Sequence, residues 1–205
     1  MTVTPSETET PQDVQPDRRA RLAIIAASAV VFLASLGQTS VSTALPVIVG
    51  QLGGLDHITW VITAYLLAST VGAPVFGKLG DLFGRRAVLQ GGIVIFLVGA
   101  LVGGLAGNMW TLVAGRFIQG FGGGGLIVVA MATVADVLPA RERGKAQGKL
   151  GAVFGLSTLV GPLAGGFLVQ HFSWQWIFWV NMPVGLMALV VLGRTLEARP
   201  GRARP

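Results

Sequence analysis

The stretch Leu22 to Leu55, LAIIAASAVVFLASLGQTSVSTALPVIVGQLGGL, holds no Asp, Glu, Lys or Arg. A mostly apolar run of about 18 or more residues is long enough to cross the hydrocarbon of a bilayer as a helix. Further uncharged runs follow: His57 to Gly77, Ala87 to Gly115, Phe117 to Ala135, and Leu150 to Gly193. Together they divide into six spans, at 22–47, 58–76, 87–106, 109–135, 150–170 and 174–192. Lipid offers no partner to a free N–H or C=O, so helices are the physical choice. The runs do not alternate apolar with polar residues, which argues against a β-barrel.

Composition agrees. Of 205 residues 52% are apolar and 12% charged, about half the roughly 25% charge of soluble domains. Mean hydropathy is +0.69. There is no cysteine, which removes disulfide scaffolds and thiolate metal sites. A net charge of +6 raises the question of nucleic acid, but the placement of the charges answers it.

Arg18, Arg19 and Arg21 precede span one; Lys78, Arg85 and Arg86 lie between spans two and three. Arg141, Arg143, Lys145 and Lys149 lie between spans four and five, and Arg194, Arg199, Arg202 and Arg204 follow span six. The connections after spans one, three and five carry no Lys or Arg. Basic residues are retained on the inner side, so the expectation is a multi-pass protein of the cell membrane with both termini cytoplasmic. Trp60, Trp110, Trp174, Trp176 and Trp179 fall at or near the outer ends of the spans, where amphipathic rings anchor. The basic balance thus reads as topology and attraction to anionic lipid, with no nucleic-acid partner. Residues 1–21 read as a disordered cytoplasmic tail, 22–193 as the bundle, and 194–205 as a second cytoplasmic tail.

Glycine occurs 30 times, often four residues apart: Gly99, Gly103 and Gly107; Gly120 and Gly124; Gly151 and Gly155; Gly161 and Gly165. Such spacing opens a groove where a second helix backbone can approach. The string GFGGGG from Gly120 follows no strand, so it is not a nucleotide loop.

Arg116 stands alone as a charge within a span. At that depth it costs about 2.5–3.5 kcal/mol on insertion scales and suggests function. It lies about 9 Å along its helix from Trp110, and Gln38 lies about 12 Å from Pro46 on a helix running the other way. The two therefore reach similar depth. Gln38, Thr39, Ser40, Ser42 and Thr43 make that part of span one polar. A water-filled cavity between spans one and four is one reading; a structural pin donating to carbonyls is the other. No carboxylate lies in any span, and His57 and His171 fall at outer connections, where a surface or interface place is expected. The loop GKLGDLFGRR, Gly77 to Arg86, has glycines for tight turns, and Asp81 is placed to pair with Arg85 or Arg86 or to cap a helix. It reads either as a charged lock between spans or as an ordinary basic loop. No nucleophile–base pair, metal cluster or cofactor loop is evident, so an enzyme, a metal site and a cofactor are not expected.

These stretches resemble the N-terminal half of the major facilitator superfamily, and within it the fourteen-span drug:proton antiporter branch of the EmrB/QacA type. GKLGDLFGRR resembles motif A, with Gly77, Asp81, Gly84, Arg85 and Arg86. LVAGRFIQGFGGG, Leu112 to Gly124, resembles motif B, with Arg116 and Gln119. GLSTLVGPLAGG, Gly155 to Gly166, resembles the antiporter motif C, with Gly161, Pro162, Gly165 and Gly166. WQWIFWVNMPVG from Trp174 is similar to the same branch. The resemblance implies an all-α membrane fold of six helices, arranged as two inverted three-helix repeats. It implies alternating access, a motif A latch, and coupling at Arg116 beside Gln38, Thr39 and Gln119. The substrates it implies are small, amphipathic and often cationic, exported in exchange for protons.

Two features depart from the pattern. Where relatives carry an acidic residue in a sequence like L-D-x-T, this chain has Leu36, Gly37, Gln38 and Thr39. Gly37 cannot accept a proton, and Arg116 loses that partner. Relatives have twelve or fourteen spans against six here, so a second half or a homo-oligomer is the expected partner. The alternative is a truncated, non-transporting fragment or a regulatory subunit of a split transporter.

Overall fold

The computed structural model describes residues 18–195; the expected tails, apart from Arg18–Arg21 and Arg194–Thr195, lie outside them. The first span is α1 (Arg18–Thr39) and α2 (Val41–Leu52), broken only at Ser40, whose backbone stays helical. Then come α3 (Ile58–Phe83), α4 (Arg85–Gly104), α5 (Met109–Val137) and α6 (Ala140–His171), and the sixth span is the short α7 (Trp176–Trp179) followed by α8 (Asn181–Thr195). Among the described residues six helices are long and apolar enough to cross a membrane.

The connections are short because local chemistry stops each helix cleanly. Gly53 and Gly54 take φ of 69° and 78° and lead into the turn Leu55–His57. Asn108 caps α5 by accepting from the Thr111 backbone N–H at 2.9 Å, a bond that satisfies one of the free donors of a first turn. Gly84, at φ 92°, reverses the chain between α3 and α4, a conformation that disfavours a side chain.

Two expectations about boundaries change. GKLGDLFGRR is mostly not a loop: α3 runs through Gly77 and Gly80 to Phe83, and Gly84 alone makes the turn. Span five begins ten residues early, since α6 includes Arg141–Lys149. In both places the helix simply outlasts the apolar run, because charged residues such as Arg and Lys are good helix formers. Trp174 also departs from a lipid-facing anchor. It is wholly buried, and its indole N–H donates to Gln51 Oε1 at 2.9 Å. Trp60, Trp110 and Trp176 remain about half exposed.

Helix partners follow a symmetric scheme. Span two lies along span four as span five lies along span one; span three packs on span four as span six packs on span one. Interchanging the first three spans with the last three leaves this scheme unchanged. Three reversals separate the triplets, so the second runs opposite to the first, giving two inverted repeats. Glycines permit the tightest crossing: a Cβ at Gly120 or Gly124 would strike the carbonyl of Tyr65 or Ser69 on α3. Gly99 of α4 presses on the backbone of Gln119 in the same way. Gly107, Gly151 and Gly155 meet nothing within 4 Å, so spacing alone did not identify the glycines in contact.

The buried apolar side chains form two clusters. One gathers Leu33, Phe96, Leu126 and Leu150, the other Ile48, Val61, Leu112 and Phe178. The level between them carries buried Ser35, Ser40, Arg116, Gln119 and Ser157.

Candidate functional site

Arg116 belongs to that polar level and is 2% exposed. Its Nη1 donates to the carbonyl oxygen of Gly37 at 2.8 Å and to Oε1 of Gln119 at 2.8 Å, while Nε donates to the Val61 carbonyl at 3.4 Å. The guanidinium carbon lies 4.1 Å from the centre of the Tyr65 ring, within reach of a cation–π attraction. The Tyr65 hydroxyl in turn donates to the Ala34 carbonyl at 3.1 Å. One side chain therefore ties spans one, two and four together.

Gly37 makes this approach possible. A Cβ there would collide with Cζ of Phe96 and would sit 3.2 Å from Nε2 of Gln119. That Nε2 is buried and has no hydrogen-bond partner. The Gln119 amide is oriented by Arg116, which takes its oxygen, and its nitrogen is left against Gly37.

Beside the guanidinium lies a cavity of about 310 Å³. Span one gives it Gln38, Thr39, Val41 and Ser42; α3 gives Ile62, Tyr65 and Leu66; α6 gives Thr158 and Pro162. The cavity thus sits among four spans, wider than the space between spans one and four expected from depth alone. Pro162 lacks an N–H and leaves the Thr158 carbonyl without its helical donor. Beside it, a Cβ at Gly161 would strike Thr39 Oγ1, and one at Gly165 would lie 2.6 Å from both the Ser40 carbonyl oxygen and Thr43 Oγ1. Gly161 and Gly165 thereby seat α6 on span one, whereas Gly166 meets nothing within 4 Å.

A second cluster lies at the end of the bundle that carries the basic residues. Arg85 bridges two carboxylates, Asp81 at 2.6 Å and Asp136 at 3.1 Å. It thereby joins the end of α3 to the end of α5. Arg86 does not reach Asp81; its Nη2 donates to the Gly193 carbonyl of α8 at 2.9 Å. Gly80 lets the Arg85 side chain fold over it, since a Cβ there would lie 2.9 Å from Nη1. Gly77 makes only ordinary contact with Val128. At the other end His57 meets Trp110 edge to face and His171 stacks on Phe167.

Arg116, Gln38 and Thr39 are brought together at the cavity, while Gln119 is buried behind them and reaches it only through its bond to Arg116; the motif A residues gather far along the bundle. Sequence reasoning passed over Tyr65, Phe96 and Asp136 as site residues. Tyr65 was findable, as the one tyrosine of the chain set in an apolar span, where its hydroxyl needs a partner. Asp136 becomes relevant only when α5 is laid beside α3.

The sequence profile of the Major Facilitator Superfamily matches residues 27–205. The chain belongs to this superfamily. It is 44% identical over 169 residues to the Multidrug transporter protein MdtP of Bacillus subtilis, a match covering 82% of this chain and 31% of that protein. It is 48% identical over 175 residues to an uncharacterized MFS-type transporter of Mycobacterium tuberculosis, covering 85% of this chain and 25% of the relative. The fold superposes on the proton:xylose symporter XylE with a TM-score of 0.80 at 16% identity, over 90% of this chain and 46% of that one. This major facilitator chain therefore spans about a third or less of the length of these two curated relatives. It is an integral membrane chain of the six-helix type that forms half of such a fold.

Proposed function

We propose that this chain is one half of a drug or multidrug efflux transporter working by alternating access, with proton antiport as the driving step. The observation that carries the reading is the cavity at Arg116, polar along span one and open among four spans at the level that divides the apolar core. The likeness to a multidrug transporter supports the substrate class, a small amphipathic molecule. Arg116, with Gln38 and Thr39, forms the cavity wall, and Gln119 holds Arg116 from behind. Gly161, Pro162 and Gly165 set how span five leans on span one. Asp81, Arg85 and Arg86, with the turn at Gly84, form a latch whose bonds tie spans two, four and six at one end and break as that end opens.

A second half completes the transport path, either another six-span unit or a second copy. The support is the exposure of α3 and α6 beside the cavity, where Ile62, Leu66, Leu159 and Leu163 are uncovered. We place the basic end, and both termini, in the cytoplasm of a cell membrane, on the retention of Lys and Arg at that end.

The test is export of a fluorescent amphipathic dye from cells carrying the transporting assembly. Arg116→Ala is expected to abolish export while membrane insertion is retained. Unchanged export would overturn the reading. No export by the unaltered assembly would favour the alternative, a partner subunit without transport of its own.

A further inference from the structure

We propose that the Arg116 cavity binds a small organic anion, a carboxylate carried on an apolar or aromatic body. The inference rests on the transporter reading and names the substrate class of that same site, against the cation that the resemblance implies.

Arg116 is the deeply buried cation, yet every partner it has is neutral: two backbone carbonyls, an amide oxygen and an aromatic ring. Among the described residues the carboxylates are Asp56, Asp81, Asp136 and Glu142, and none lines the cavity. Asp81 and Asp136 are held by Arg85, and Asp56 lies in the turn before α3. Gly37, whose carbonyl the guanidinium meets, brings no side chain, and none can enter there without moving Phe96. Nη2 of Arg116 makes no hydrogen bond to the protein. Of the polar residues lining the cavity with it, Gln38 offers a further free donor, while the hydroxyls of Thr39, Ser42 and Thr158 donate to carbonyls of their own spans.

A buried guanidinium without a counter-ion attracts an anion far more strongly in a low-dielectric site than in water, and its planar fork suits a carboxylate. A cation would meet an uncompensated like charge. The rest of the wall selects the body of the ligand. Val41, Ile62, Leu66 and the Tyr65 ring are apolar surfaces, and about 310 Å³ is the small end of ligand sites, enough for one ring with a short acid arm.

The experiment follows the thermal unfolding of the purified chain in nonionic detergent by tryptophan fluorescence, at pH 7 and constant ionic strength. Benzoate, benzylamine and chloride are the probes. Benzoate is expected to raise the midpoint at concentrations at least tenfold lower than chloride, and benzylamine to leave it unmoved. Arg116→Gln should lose the benzoate response. Because that variant removes three hydrogen bonds and could fail to fold, Gln38→Glu gives an independent arm. It places a carboxylate in the cavity without added volume, and should abolish the benzoate response and confer one to benzylamine. An equal response to benzylamine or chloride in the unaltered chain, no response to benzoate, or a benzoate response that survives either substitution would overturn the proposal. Export of a cationic dye by the assembly would leave the transporter reading standing while benzylamine binding sank this one. Benzoate binding without any transport would do the reverse.

Discussion

Arg116 Nη1 donates at 2.8 Å to the backbone carbonyl of Gly37, so the one charge inside the bundle is held by main chain from the span it faces. A carbonyl cannot take up or release a proton at physiological pH. The interaction fixes the guanidinium and leaves its charge in place. Proton exchange with a carboxylate at position 37 would require room for a side chain where a Cβ meets the Phe96 ring.

Gly37→Asp restores such a group. Alone, it is expected to destabilise the chain by about 1–3 kcal/mol, the usual range for overpacking a filled core, because its Cβ meets the Phe96 ring. Paired with Phe96→Leu, it should recover most of that loss, with the carboxylate beside Nε2 of Gln119 and the Arg116 guanidinium. In vesicles the double variant should show stronger dependence of transport on the proton gradient than the parent. Detergent melting curves and pH-jump uptake measure the two parts. A single Gly37→Asp that melts as the parent does would contradict the close packing.

The crossing of α3 and α5 rests on absent side chains. Gly124→Val should weaken the fold strongly, by about 3 kcal/mol, the upper end of overpacking costs, since backbone and not a flexible side chain blocks the added atoms. Gly155→Ala, with nothing within 4 Å of the added methyl, should be neutral or slightly stabilising. Comparing the two melting temperatures separates packing glycines from incidental ones of the same spacing.

Arg85 offers a test of lock against scaffold. Its two ion pairs involve carboxylates more than half exposed, and exposed pairs contribute only about 0–1 kcal/mol. Asp136→Asn should therefore leave the melting temperature within a degree or two. If the pair latches the basic end, the same change should raise access of a thiol reagent to a cysteine placed at Val129, which neighbours Gly80 at that end. Unchanged access with unchanged transport would make the bridge incidental.

The topology has a direct check. A cysteine introduced at Asp56 should react with an impermeant reagent from outside intact cells, and one at Arg143 only after permeabilisation. The reverse pattern would overturn the orientation and, with it, the direction assigned to the latch.

Six spans were legible in the sequence because the bilayer imposes a length and polarity rule that composition alone can meet. The ends of the helices were not, since helix continues past the hydrocarbon edge wherever residues like Lys78 or Lys145 favour it. Arg116 announced itself as a charge in apolar surroundings, and Gln38 as its neighbour in depth. Which glycines carry contacts was hidden, because spacing defines a face but not what lies against it. Trp174 looked like an anchor for the same reason.

The amino-acid order by itself determined that this chain crosses a membrane six times and buries one guanidinium, for both follow from the cost of polar groups in lipid. Only the tertiary structure decided what that guanidinium touches. Gly37 carbonyl, Val61 carbonyl and Tyr65 ring come from α1 and α3, whose rotation against α5 is set by packing between the helices. Packing is a relation between distant residues, so it becomes visible only when the helices stand side by side.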